Sequence, residues 1–411
     1  MDLTKVNYFN QLILFHMKFE KITMFALALA MGVTSQAKEP AVQGLKDAYK
    51  DYFAVGVAVN MGNLNRDKDR NIVLTNYNSV TAENDFKPQS VQPQEGQWNF
   101  TNADAIADFC RENGIKLRGH CLAWHSQVGR WMFQGPDGKQ ASKELLYERM
   151  KTHITTVMQR YSDIIYCWDV VNEAVTDDAN ASDPLRNSQW KSIAGGDEFI
   201  RKAFEFAREA DPNALLFYND YNAAVPAKRD KIYNMVKEMK EAGVPIDGIG
   251  MQGHFNVYDP SLEDIEAAIV KYSEIVDHIQ FTELDIRLNR EMGGGLNMNR
   301  QGEALTPEKQ KMFNDKYTGF FEILRRHADV IDVVTFWNVS DRDSWVGTSN
   351  YPLLFDAESN PKDTYYLVRD FEVTDKAQKK AEEKAVKASK KKAANKEADE
   401  KAALAKANFK K

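Results

Sequence analysis

The chain has 411 residues, 43% of them hydrophobic and 28% charged, which is enough apolar side chain for a large core and too much for a disordered protein. Its net charge of −6 is unevenly placed: thirteen lysines against six acidic residues give 374–411 a balance of +7, which leaves −13 on the rest. An acidic body argues against a nucleic-acid partner and makes a neutral polymer the better substrate expectation.

From the N-terminus, residues 1–16 read as lying upstream of a start at Met17. Met17-Lys18-Phe19-Glu20-Lys21, the apolar run Met24 to Val33 and then Ser35-Gln36-Ala37 have the charged, apolar and small-residue zones of a secretory signal. The apolar run is too short to span a bilayer, although an uncleaved anchor is the alternative. Residues 1–37 are therefore expected to be removed and the product exported, either to the medium or to a periplasm or cell envelope, without membrane insertion.

Residues 38–373 alternate short apolar runs with longer amphipathic stretches about eight times, with few Pro or Gly clusters to mark a linker,. Strands are predicted at Phe53 to Val59, Ser79 to Ala82, Lys116 to Leu122, Ile165 to Val171, Leu215 to Tyr218, Gly248 to Met251, Ile279 to Thr282 and Val333 to Trp337. Their β-branched and aromatic content suits strands covered on both faces. Helices are predicted at Asn102 to Glu112, Lys143 to Arg160, Phe199 to Glu209, Lys228 to Ala242, Leu262 to Val276 and Glu308 to Arg326. Ser261-Leu262-Glu263-Asp264 reads as a capping box, Thr306-Pro307 as a cap with a first-turn proline, and Gly114 and Gly243 as helix stops.

The fold class is α/β, and about eight strand-helix units predict a single (β/α)8 TIM barrel; a doubly wound open sheet is the alternative. The glycine-rich stretch 292–302 lacks phosphate-binding spacing and reads as a rim loop. Residues 374–411, almost wholly Ala, Lys and Glu, read as a disordered or helical appendage. Cys110, Cys121 and Cys167 read as buried small side chains, with a Cys121–Cys167 bridge the less favoured alternative.

Placement of the polar residues favours the barrel, where chemistry gathers at the carboxyl ends of many strands at once. Glu83, Asn84 and Lys87 follow the second predicted strand, and His120, Trp124 and His125 close the third. Asn172 and Glu173 follow the fourth, Asn219, Asp220 and Tyr221 the fifth, Gln252 and His254 the sixth. Glu283 and Asp285 follow the seventh; Trp337, Asp341 and Trp345 close the eighth. Two carboxylates at the ends of apolar strands, Glu173 and Glu283, suit glycosidic bond cleavage, in which one acts as an acid and the other as an ionised nucleophile.

Four segments carry a more specific signal: Gly119-His120-Cys121-Leu122-Ala123-Trp124-His125-Ser126-Gln127, Trp168 to Ala174, Gly250-Met251-Gln252-Gly253-His254 and Thr282-Glu283-Leu284-Asp285. In this order they resemble glycoside hydrolase family 10, the retaining endo-β-1,4-xylanases. The resemblance spans the body of the chain and implies Glu173 as general acid/base and Glu283 as nucleophile. It further implies that Asn172 holds the sugar 2-hydroxyl and that His254 and Asp285 orient the nucleophile. Glu83, Asn84, Lys87, His120 and Gln252 would hold sugar on the non-reducing side. Trp124, Trp337 and Trp345 offer flat faces to pyranose C–H groups, and Tyr221 and Asn222 resemble leaving-group-side residues.

The resemblance also implies that Trp345 and the set around Glu83 crowd a hexose hydroxymethyl group, favouring xylose by an amount on the order of 1–3 kcal/mol. Two departures from the family pattern bear on the last loop: Asn338 stands where many relatives have glycine, and residues 346–351 lack an arginine-containing turn. The expected substrate is xylan or a xylo-oligosaccharide, acted on by a monomer without cofactor or metal. Three other readings remain: a mixed-specificity glucanase/xylanase, a non-catalytic polysaccharide binder, and a metal-dependent hydrolase using His120, His125, His254 and Asp285.

Overall fold

Eight parallel strands close on themselves in the computed structural model, which describes residues 44–289 and 304–372. The expected signal segment, the lysine-rich tail and the 292–302 loop lie outside the described residues. The strands are β1 (Ala54–Val59), β2 (Ser79–Ala82), β3 (Lys116–Trp124), β4 (Ile165–Asn172), β5 (Leu215–Asp220) and β6 (Gly248–Met251), then a short β7 (His254–Asn256), β8 (His278–Arg287) and β9 (Ile331–Phe336). Sequential neighbours pair from β1 to β6; β6 pairs with β8, β8 with β9, and β9 returns to β1, for example at Val57↔Phe336. The barrel is thus a (β/α)8 fold, and the open-sheet alternative is set aside by the closing β1–β9 and β6–β8 ladders.

The strands are buried along nearly their whole length, as expected for parallel strands whose outer faces are covered by helices. Helices form where the sequence punctuation placed them. Ser261 accepts from Asp264 N at 3.0 Å ahead of Leu262–Ser273, Thr306 accepts from Lys309 N ahead of Pro307–Arg326, and Gly114 ends Thr101–Asn113 at φ +63°. The three cysteines are free and buried.

Four strands run further than predicted, so that Trp124, Asn172, Asn219, Asp220, Glu283 and Asp285 lie inside ladders rather than after them. The reason is that backbone pairing is indifferent to side-chain polarity at the barrel mouth. β7 adds to this by pairing with the upper half of β8, His254 opposite Asp285.

Two close approaches need glycine. A Cβ on Gly119 would lie 2.2 Å from the Trp168 ring, and one on Gly250 would lie 2.3 Å from Asn219 Oδ1. The second opens the space from which the Asn219 amide reaches the barrel mouth.

Inside the barrel, Arg118 is fully buried and donates to Asp169 through Nη1 at 2.8 Å and through Nη2, and to Gln280 through Nε at 2.8 Å. A buried pair that loses one partner leaves the other charge unpaired, which costs about 3–5 kcal/mol. Arg118→Met is therefore expected to destabilise the fold by about that amount in urea titration; a loss under about 1 kcal/mol would contradict this assignment.

Candidate active site

Glu283, near the C-terminal end of β8, is 5% exposed and held at both oxygens. Oε1 accepts from Asn219 Nδ2 at 2.9 Å, and Oε2 lies 3.1 Å from His254 Nε2. The other ring nitrogen of His254 is 2.8 Å from Asp285 Oδ2, which also accepts from Trp345 Nε1 at 2.7 Å. Burial alone would push the Glu283 carboxyl up, but His120, the His254 bond and charge, and Lys87 outweigh it and hold it down at about 2,. Burial would likewise lower His254; the flanking carboxylates Asp285 and Glu283 outweigh it and push His254 up to about 10. At neutral pH an imidazolium therefore donates to both carboxylates, and Glu283 is an anion.

Glu173 follows β4 on a turn with φ +58°, an uncommon conformation for a residue with a side chain,. Its N–H donates to Asn219 O at 2.9 Å and its carbonyl accepts from Arg186 Nε at 3.0 Å. Its Oε1 accepts from Gln252 Nε2 at 3.0 Å and from Asn172 Nδ2 at 3.4 Å. Asn172 Oδ1 in turn accepts from Gln252 Nε2 at 3.2 Å and from Asn219 Nδ2 at 2.9 Å. One amide cluster from β4, β5 and the end of β6 therefore joins Glu173 to Glu283.

Around this pair, His120 Nδ1 sits 2.8 Å from Asp169 Oδ2 and 3.9 Å from Glu283 Oε1. The Trp337 ring meets His120 and His254 edge-on at 5.4 and 6.3 Å. Lys87 donates to Asn84 Oδ1 at 2.9 Å, and its ammonium lies 5.1 Å from the Trp124 ring centre and 5.9 Å from that of Trp337. Glu83 does not pair with Lys87; its Oε2 accepts from Asn60 Nδ2 at 3.0 Å and Asn338 Nδ2 at 3.1 Å. Asn338 has φ +114°, a region that favours glycine, and its amide ties Glu83 to the last loop. Tyr221 stands apart from the amide cluster, its hydroxyl accepting from Arg186 Nη2 at 2.6 Å and contacting Asp177, with Lys228 Nζ 3.6 Å from its ring centre.

Sequence reasoning assigned no role to Asn219, Asp169, Arg118 or Arg186. Asn219 was seen only as a residue at a strand end, yet it bonds both Asn172 and Glu283. For Arg118 and Asp169 the available signal was a charge set among apolar neighbours on a strand, which demands an internal partner. Among the described residues, His120, Asp169 and Glu283 bring ligand atoms within 4.8 Å of one another. Of the four side chains the metal-dependent reading needs, this trio contains His120 alone. Asp169 already accepts from Arg118 at both oxygens and lies 2.8 Å from His120 Nδ1, so its oxygens are engaged within the protein.

A closed parallel barrel carrying an ionised buried carboxylate, a second carboxylate in the same amide cluster and a rim of tryptophans defines a carbohydrate-cleaving (β/α)8 enzyme. The profile of Glycosyl hydrolase family 10 matches residues 44–371, and the chain belongs to that family. It is 54% identical over 342 residues to an endo-1,4-beta-xylanase/feruloyl esterase of Xylanibacter ruminicola, covering 80% of this chain and 47% of that one. The chain thus spans about half the length of that two-activity relative. It also covers 98% of an endo-1,4-beta-xylanase of Geobacillus stearothermophilus at 40% identity, with 80% of this chain aligned. A solved psychrophilic family 10 endo-beta-1,4-xylanase is 56% identical, with TM-score 0.76 over 80% of this chain and 99% of its own.

Proposed function

We propose that the chain is an endo-acting xylanase that cleaves internal β-1,4-xylosidic bonds with retention, Glu283 being the nucleophile and Glu173 the general acid/base. The observation that carries the assignment is the unequal setting of the two carboxylates within one cluster. Glu283 is clamped as an anion by His254 and His120, whereas Glu173 lies on a turn with only amide donors at its side-chain oxygen. In the first displacement Glu283 attacks the anomeric carbon while Glu173 gives its proton to the departing oxygen. In the second, Glu173 takes a proton from water, which attacks the glycosyl-enzyme and frees Glu283.

Asn172 spends its oxygen on Gln252 and Asn219, and its N–H₂, which reaches Glu173 Oε1 at 3.4 Å, is the donor it offers to a sugar hydroxyl beside the acid/base. Glu83, Asn84, Lys87, His120 and Gln252 supply polar contacts on the non-reducing side, and Trp124, Trp337 and Trp345 the flat faces. Tyr221 is assigned to the leaving-group side. The catalytic unit is assigned to residues 38–373. The zones of residues 17–37 support export, and no described helix is long and apolar enough to cross a membrane.

His254 and Asp285 are assigned to nucleophile tuning, and the sign of their effect is testable. His254 lowers the Glu283 carboxyl, so its replacement raises that group's proton affinity, and as pH falls the anion that attack needs is lost sooner than in the parent. In His254→Asn the acid limb of kcat/KM is expected to move up by about 1–2 pH units relative to the parent, the usual effect of one opposite charge; an unmoved limb would count against the assignment.

Proton NMR of fresh hydrolysate tests the reaction class: β-anomeric xylo-oligosaccharides should appear first from xylan, with far slower release from linear β-1,4-glucan and no effect of EDTA. Initial α-anomers would exclude retention. Loss with EDTA restored by a divalent ion would favour the metal-dependent reading, and inertness on xylan the non-catalytic one.

A further inference from the structure

The turn that carries Glu173 is held from below by a phenol that the reaction scheme leaves unassigned. Tyr218, on β5 and fully buried, accepts at its hydroxyl from Ala174 N at 3.1 Å and Val175 N at 3.0 Å and donates to Asp220 Oδ2 at 2.5 Å. Those two N–H groups are the first after Glu173, at the point where the chain leaves its left-handed conformation. Two acceptances and one donation exhaust the hydroxyl's ordinary bonding capacity. Asp220 is itself fixed by Lys228 Nζ at 2.8 Å, and the same ammonium lies 2.9 Å from Asp177 Oδ1. Asp177 contacts Tyr221 and Asn222, so the anchor is continuous with the side of the cleft assigned to the leaving group.

We propose that Tyr218 is a positioning residue for the acid/base step: its hydroxyl, backed by Asp220 and Lys228, fixes the turn that aims the Glu173 carboxyl at the departing oxygen. The inference rests on Glu173 being the acid/base. A turn with φ +58° persists only where surrounding bonds over-determine it. Here four backbone tethers do so: Glu173 N to Asn219 O, Arg186 Nε to Glu173 O, Arg186 N to Ala174 O at 2.7 Å, and the pair of N–H groups on Tyr218. The first two fix the strand side of the turn, and the Arg186 backbone and the phenol together fix its exit. Glu283 stands on β8 with its own partners and takes no bond from Tyr218, so loosening the turn should spare nucleophilic attack and impair proton donation.

Tyr218→Phe keeps the ring and removes only the oxygen. It is compared with the parent and with Glu173→Ala on aryl β-xylobiosides whose leaving groups run from dinitrophenol, which departs without a proton, to phenol, which needs one. Tyr218→Phe should lower kcat/KM about 30-fold for the phenyl substrate, within the roughly 10²-fold cost of misplacing a reacting group by ~1 Å, and by less than about twofold for the dinitrophenyl one. Azide should raise its kcat on the dinitrophenyl substrate, giving a xylosyl azide of retained configuration, because azide attacks the glycosyl-enzyme without a base. A loss independent of the leaving group, or no loss, overturns the proposal. If Glu173→Ala is steep in leaving group while Tyr218→Phe is flat, the anchor alone falls; if Glu173→Ala is also flat, the acid/base assignment falls and takes the anchor with it. Should Tyr218→Phe not fold, 3-fluorotyrosine at position 218 weakens the oxygen as an acceptor and is read the same way. The expected loss is then about threefold on the phenyl substrate, and a loss equal across substrates counts against the proposal.

Discussion

Glu283→Ala is expected to lower kcat on xylan by about 10⁵-fold or more, because the variant has no group to form the glycosyl-enzyme and the remaining residues cannot substitute for an oriented anion. At 1.36 kcal/mol per decade this is about 7 kcal/mol of lost transition-state stabilisation. The truncation leaves a space bounded by Asn219 Nδ2 and the His254 imidazolium, both of which pointed at the removed carboxylate. A small anion such as azide or formate fits the chemistry of that space. With an activated aryl xylobioside, azide should restore turnover and yield the α-xylosyl azide, the product of a single inversion. Rescue with the β-azide would instead mean that another residue forms the covalent bond.

The second large effect belongs to Glu173. Glu173→Ala should reduce kcat/KM on xylan and phenyl xylobioside by about 10²–10⁴-fold, the usual contribution of a positioned general acid, while leaving the dinitrophenyl substrate nearly untouched in the first displacement. The second displacement still needs a base, so the glycosyl-enzyme should accumulate and show as a pre-steady-state burst. Azide, needing no base, should drain it to the β-xylosyl azide. The opposite stereochemistry of the two rescues assigns the two carboxylates separately. Equal, unrescued losses in both variants would contradict both roles.

The (β/α)8 architecture was legible because two independent signals agreed: β-branched runs at a βα spacing, and a polar residue at the mouth end of nearly every run. An open sheet would not have gathered Glu83 and Glu283 to one opening. Helix limits were legible where side-chain chemistry sets them, as at Ser261, Thr306 and Gly114. The helix Asp67–Asn76 was missed because its inward face mixes Asp69 and Asn76 with Ile72 and Val73, so its apolar stripe has no clean period.

Within the candidate site, that Glu173, Glu283 and His254 lie at one opening was legible from their places at or just past the carboxyl ends of barrel strands. Asn219, Tyr218 and Arg118 were not, because each acts through a partner on a neighbouring strand or at the far end of a turn. That information lies in the ladder register, such as Asn172↔Asn219, and linear spacing does not encode it. Asn338 stands between these cases. Its departure from glycine was visible, but its bond to Glu83 required knowing that the last loop folds back over β2.

The most direct test is covalent capture. A dinitrophenyl 2-deoxy-2-fluoro-β-xylobioside slows both displacements by withdrawing charge from the oxocarbenium-like centre, and its good leaving group still lets the first proceed, so the glycosyl-enzyme should persist. Intact mass should rise by one fluoroxylobiosyl unit per chain, and peptide mapping should place that mass on Glu283, with Glu283→Ala unlabelled. A label on any other side chain, or full turnover of xylan by enzyme that never takes up the label, would contradict a double displacement through Glu283.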